Sequence, residues 1–135
     1  MKVAVVGLGH IGLPTALLLA QRHEVVGVDV DESLVATLND GELPLDEPGL
    51  DSLHDEVAER FTAATEPESA DAYVITVPTP LDQRENVADL GFVRAAVESV
   101  ADVVSAGELV VLESTVPPGT SERLVQPTLA DAADD

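Results

Sequence analysis

With 135 residues the chain is the size of one domain and large enough to bury a core. It has no cysteine, which excludes disulfides, thiolate metal sites and a cysteine nucleophile within it, and no apolar run is long enough to span a membrane. Acidic side chains outnumber basic ones 26 to 6, a net charge of −20 that repels nucleic acid and anionic membranes as partners. The acids are spread along the chain, and Lys2 is the single lysine. That composition fits a halophilic protein working in molar salt, where repulsion is screened to about 3 Å, the alternative being simply an acidic mesophilic protein. Most of these carboxylates are therefore surface solvation groups and poor catalytic candidates.

The first apolar run, Lys2–Val6, reads as a core strand rather than a signal peptide, and a cytoplasmic location is the resulting expectation. A glycine turn, Gly7-Leu8-Gly9-His10-Ile11-Gly12, leads into a helix from about Ile11 to Gln21, with Pro14 tolerable in its first turn. The second strand is Glu24–Asp29. Asp31 can cap a helix over Glu32–Asn39 that Gly41 ends. After a loop with Pro44 and Pro48 come a short helix near Leu50–Arg60 and a weak third strand, Phe61–Ala64. Ala72–Val77 is the fourth strand, stopped by Pro78 and Pro80.

Asp89 can cap a long helix on which Leu90, Val93, Val97, Val100 and Val104 share one face, with Arg94 and Glu98 outside and Gly107 at its end. The fifth strand is Leu109–Glu113. A turn through Pro117-Pro118-Gly119 leads to a last helix from about Ser121, and the acidic tail Ala130–Asp135 is expected to fray. Strands alternating with helices predict an α/β, Rossmann-type doubly wound parallel sheet in the order 3-2-1-4-5, ending before a sixth strand. All 135 residues are assigned to this one domain, read as a piece of a longer enzyme.

Strand, glycine turn, helix, strand and acid together form the layout that grips a dinucleotide. Gly7 permits the turn, Gly9 lets backbone approach a pyrophosphate, and Gly12 lets the helix pack against the sheet. The helix then points its unpaired N–H groups and its positive dipole end at phosphate. Asp29 can accept from both hydroxyls of an adenosine ribose and would repel a 2′-phosphate, which favours NAD over NADP. An S-adenosylmethionine site is the physical rival. In such a sheet ligands bind outside the carboxyl ends of the strands, where Val77-Pro78-Thr79-Pro80 and Ser114-Thr115 also lie. Thr79 is equally a residue caught between two turn-forming prolines, and Ser114 and Thr115 equally cap a turn. His10 is expected to act through its backbone N–H. His23 and His54 read as surface residues whose spacing gives no metal site, and no carboxylate pair stands out as an acid/base couple.

The turn Gly7–Pro14, Gly27-Val28-Asp29, Leu38-Asn39 with Gly41, Glu47-Pro48-Gly49-Leu50, Val77-Pro78-Thr79-Pro80 and Glu113-Ser114-Thr115-Val116-Pro117 through Gly119-Thr120 occur in this order. In these segments the chain resembles the N-terminal NAD-binding domain of the UDP-glucose/GDP-mannose dehydrogenase family. The resemblance implies an enzyme that oxidises the C6 hydroxyl of a UDP-sugar to a carboxylate in two NAD-dependent steps. It places Gly7, Gly9, His10, Ile11 and Gly12 on the pyrophosphate, Asp29 on the adenosine ribose, and Val77, Pro78, Thr79 and Ser114 along the cofactor. Thr115 matches a threonine near the nicotinamide that helps position the reacting water. Glu113 before Ser114-Thr115 resembles the members acting on UDP-N-acetylhexosamines, and a basic residue common five positions after the ribose acid is Leu34 here.

The family's glutamate, lysine, asparagine and nucleophilic cysteine have no match in these residues, nor does its dimerisation segment. The parent is thus expected to be a homo-oligomer, and the isolated chain to bind NAD without turnover. A non-enzymatic NAD-sensing module and another sugar- or hydroxyacid-dehydrogenase cofactor domain remain the alternatives.

Overall fold

The computed structural model describes residues 1–44, 47–82, 84, 87–114, 116 and 118–133. Five parallel strands form the central sheet: β1 (Lys2–Val6), β2 (Glu24–Val28), β3 (Phe61–Ala64), β4 (Ala72–Ile75) and, after a small hairpin, β7 (Leu109–Leu112). Their order across the sheet is β3-β2-β1-β4-β7, the expected 3-2-1-4-5 when the hairpin is left out of the count. The hairpin pairs β5 (Leu81–Asp82) with β6 (Val87–Ala88) antiparallel and was not foreseen, because two-residue strands leave no periodicity to read.

Both faces of the sheet are covered, so its strands are near-continuous apolar runs rather than alternating ones. Alternation survives in where each side chain goes. Val3 and Val5 of β1 join Leu13, Leu17, Leu38 and Val57 in one core. Ala4 and Val6, pointing the other way, join Tyr73, Ile75, Val93, Val97 and Leu124 in the other. Helices α1 (Gly12–Leu19), α2 (Glu32–Asn39) and α3 (Leu50–Val57) supply the first core. The second is built by α4 (Gly91–Ala101) and by a turn of π-helix, Ser121–Val125, that runs into α5 (Gln126–Ala133).

Several boundaries differ from the sequence expectation. Asp31 caps α2 as predicted, its carboxylate accepting from the N–H groups of Ser33 and Leu34. Asp89 instead sits one residue before the α4 cap, and its Oδ1 accepts from Gly91 N–H at 2.9 Å. Helix α4 ends at Ala101, so Val104 and Gly107 lie beyond it. Gly107 adopts φ +89° in the turn that enters β7. Ala130–Ala133 are helical rather than frayed, while Asp134 and Asp135 lie outside the described residues. His54 is buried, contrary to expectation, because the face of α3 that carries Leu50 and Val57 also turns its ring edge-on against Phe61. Among the described residues no helix is long and apolar enough to cross a membrane, and no cluster of three or more His, Cys, Asp or Glu could hold a metal ion.

Candidate cofactor site

The carboxyl ends of β1, β2 and β4 converge on the glycine turn. Gly7 N–H donates to Val28 O at 2.7 Å, which ties the start of the turn to the end of β2. Gly7 has φ +100°, and a Cβ there would lie 2.7 Å from Thr76 O, so only glycine fits. Gly12 meets a different limit: a Cβ on it would collide with Gly7 O and Thr76 Oγ1, because α1 starts hard against the turn. Gly9 is the opposite case. A Cβ on it would find nothing within 4 Å, so its outer side faces open space where a ligand's backbone-sized group can approach.

The turn leaves donors pointing outward. Leu13 N–H is the first to close a helical bond, to Gly9 O at 3.1 Å. The N–H groups of Gly9, His10, Ile11 and Gly12 have no hydrogen-bond partner among the described residues. These are the orphan donors of a helix start, concentrated where the helix dipole is positive. The corner therefore satisfies the requirements of a diphosphate: open space over Gly9, unpaired N–H groups, and a helix N-terminus behind them.

Asp29 holds the adjoining wall. Its Oδ2 accepts from Leu8 N–H and its Oδ1 from Asp31 N–H, each at 3.0 Å. A carboxylate has about four acceptor sites, so each oxygen keeps one for a vicinal diol. The carboxylate thus braces the glycine turn and remains able to bind ribose. Thr76 is the brace that the sequence reading missed. Its buried hydroxyl donates to Gly7 O at 2.7 Å, and its N–H donates to Val6 O at 2.8 Å. The available signal was a hydroxyl ending the apolar run Ala72–Ile75, which parallel register sets beside Val6.

One crevice of about 520 Å³ gathers Gly7, Gly9, His10, Ile11, Asp29, Val77, Pro78, Thr79 and Ser114 on its walls. Gly12 lies behind it, where it sets the helix. Ser114 reaches the crevice, but its hydroxyl is engaged, donating to Val77 O at 2.9 Å and binding the end of β7 to the end of β4. Thr115 and Pro117 lie outside the described residues. Asp29, Val77 and Pro78 also border a second cavity of about 390 Å³ on the other side of this partition. That cavity is mainly apolar, with Val30, Pro67, Phe92 and Ala96 among its walls. Val30 and Phe92, 86% and 50% exposed, present apolar surface beside this cavity.

The matching family model is that of the UDP-glucose/GDP-mannose dehydrogenase family, NAD binding domain, and it covers residues 1–135. An NDP-N-acetyl-D-galactosaminuronic acid dehydrogenase of Ralstonia nicotianae is 48% identical over 126 residues, which is 90% of this chain and 29% of that protein. A UDP-N-acetyl-D-mannosamine dehydrogenase of Campylobacter jejuni is 44% identical over 93% of this chain and 31% of its own length. Among solved structures, the UDP-N-acetyl-mannosamine dehydrogenase of Staphylococcus aureus superposes with a TM-score of 0.92 at 34% identity, covering 97% of this chain and 33% of that one. The chain therefore spans about a third of the length of these relatives. It belongs to the UDP-glucose/GDP-mannose dehydrogenase family and is an NAD-binding domain of that family.

Proposed function

We propose that this domain seats NAD for a longer enzyme that oxidises the C6 hydroxyl of a UDP-N-acetylhexosamine to a carboxylate. The observation that carries the placement is the row of N–H groups of Gly9, His10 and Ile11, unpartnered among the described residues, on residues that line the same crevice as Asp29. In this reading Gly9, His10 and Ile11 hold the diphosphate through backbone N–H groups, while Gly7 and Gly12 shape the turn. Asp29 takes the ribose diol. Because Asp31 lines the same wall, a 2′-phosphate would meet two carboxylates, which favours NAD over NADP. The apolar cavity between Val30 and Phe92 suits the flat adenine ring.

Val77, Pro78 and Thr79 then lie along the cofactor toward its nicotinamide end. Ser114 acts chiefly by holding the ends of β4 and β7 together. Thr115, next in the sequence, is proposed through its match to the family's threonine near the nicotinamide to help position the reacting water. Bound NAD supplies the hydride acceptor. The chain has no cysteine, so any thiol chemistry belongs to residues outside these 135. The N-acetylhexosamine substrate class is supported by the names of the relatives and by Glu113 ahead of Ser114.

The protein is further proposed to be cytoplasmic and salt-adapted, with a homo-oligomeric parent that binds neither nucleic acid nor membrane. Calorimetry of the chain in molar KCl tests the cofactor placement: NAD should bind and NADP should bind at least about tenfold more weakly. Tighter NADP binding would overturn the role of Asp29. Turnover of UDP-glucose but not UDP-N-acetylhexosamines by the full-length parent would overturn the substrate class.

A further inference from the structure

We infer that the protonated imidazole of His10 is the counter-charge of the cofactor diphosphate, so that dinucleotide affinity rises as pH falls through the imidazole range. This rests on the NAD placement proposed above and adds a side-chain role to a residue otherwise assigned only a backbone one. The crevice has an unfavourable charge balance for its ligand. Its charged walls are Asp29, Asp31 and Glu113, and no Lys or Arg lines it among the described residues. Position 34, which could carry a cation into it, is Leu34. A diphosphate brings two further negative charges, and a helix end offers only about half an elementary charge in return.

His10 is the one lining side chain among the described residues that can become cationic, by taking up a proton on its imidazole. It belongs to the turn whose N–H groups are unpartnered among the described residues, and it lines the same crevice. The side chain is 82% exposed, and its Nδ1 lies 3.9 Å from Glu47 Oε1. Glu47 lies on the connection between α2 and α3, and the ring has no other ion pair or hydrogen bond among the described residues. The charged groups facing the imidazole are therefore Glu47 from that connection, Asp29 and Asp31 from the end of β2, and Glu113 from the end of β7. All four are carboxylates, and none supplies positive charge. The other histidines, His23 and His54, line neither this crevice nor the adjoining cavity.

The test is NAD titration of the 135-residue chain at constant ionic strength, at about pH 5.5 and about pH 8, on either side of the imidazole range. Affinity should be about fivefold higher at the acid end. His10→Gln should bind weakly and equally at both values, whereas His10→Lys should bind tightly at both. By linkage the bound dinucleotide must hold the His10 proton to higher pH, which imidazole NMR shifts report directly. A pH-independent affinity in the native chain, or a pH slope that survives His10→Gln, overturns the inference while leaving the cofactor site intact. Absence of NAD binding in every variant overturns the placement itself, and this inference with it.

Discussion

The two edges of the sheet are built to opposite rules. At the amino edge most polar groups are closed on one another, although His23 Nδ1, just before β2, is buried without a partner. The Tyr73 hydroxyl accepts from Ala70 N–H at 3.0 Å and lies within donating distance of Glu108 Oε1 (3.1 Å) and Val103 O (3.3 Å). The same Glu108 oxygen accepts from Ser105 N–H at 2.7 Å. Lys2 N–H donates to Asp71 and its ammonium pairs with Glu68, while Arg60 Nε donates to Ala20 O. At the carboxyl edge, four successive N–H groups have no partner among the described residues, and a Cβ on Gly9 would meet nothing within 4 Å. One edge uses most of its polar groups to hold the strands, and the other leaves donors available, as the proposed cofactor placement requires.

Substitutions at the two edges should separate stability from binding. The largest effect is expected from Gly12→Val, whose side chain would be driven into Gly7 O and Thr76 Oγ1. Displacing α1 should cost about 3 kcal/mol of stability and abolish NAD binding, read by thermal melting and calorimetry. Retained binding would mean that the helix start is not the phosphate site. Asp29→Ala comes next. It removes the acceptor of Leu8 and Asp31 N–H together with the ribose contact, and should lower NAD affinity by about thirtyfold, about 2 kcal/mol. Its preference for NAD over NADP should shrink in the same titrations.

Tyr73→Phe is the contrasting case at the amino edge. Leaving buried Ala70 N–H unpaired should cost about 1.5 kcal/mol of stability, with NAD affinity unchanged. The pH dependence of this residue has a definite sign. Burial foremost, with Glu108 alongside, pushes the Tyr73 phenol above its ordinary value. Its stabilising effect is therefore complete below about pH 10 and is lost as pH rises through the higher folded value. Tyr73 is the single tyrosine and there is no tryptophan, so tyrosinate absorbance during base unfolding follows this group alone. Tyrosinate forming well before the fold is lost would refute the closed network. The smallest effect is expected from Thr76→Val, about 1 kcal/mol of stability with a few-fold weaker NAD binding, because the turn loses its hydroxyl clamp on Gly7 O.

Much of this was legible before any coordinates. Strand β1 and helix α2 fall where predicted, because an apolar run ended by glycine and a helix opened by Asp31 are each decided within a few residues. The glycine spacing and Asp29 pointed to the dinucleotide corner for the same reason. Less legible were groups whose role depends on a distant neighbour. Thr76 looks like one more strand residue until β4 is laid beside β1. His54 reads as a polar surface residue until α3 turns it against Phe61. Ser114 reads as a residue on the cofactor crevice, and only the fold adds that its hydroxyl donates to Val77 O, a bond across 37 residues.

The sequence by itself determined the element order, the parallel class of sheet and the chemistry of the turn, since local sterics and apolar period act over one helix turn or one strand. Only the tertiary structure decided which hydroxyls are spent on carbonyls and which N–H groups remain open. It alone set His10 and Glu47 side by side and enclosed three carboxylates in a crevice without Lys or Arg among its described walls. The physical reason is that hydrogen bonds and charge pairs are formed by proximity in space, and a parallel sheet brings together residues that lie tens of positions apart along the chain.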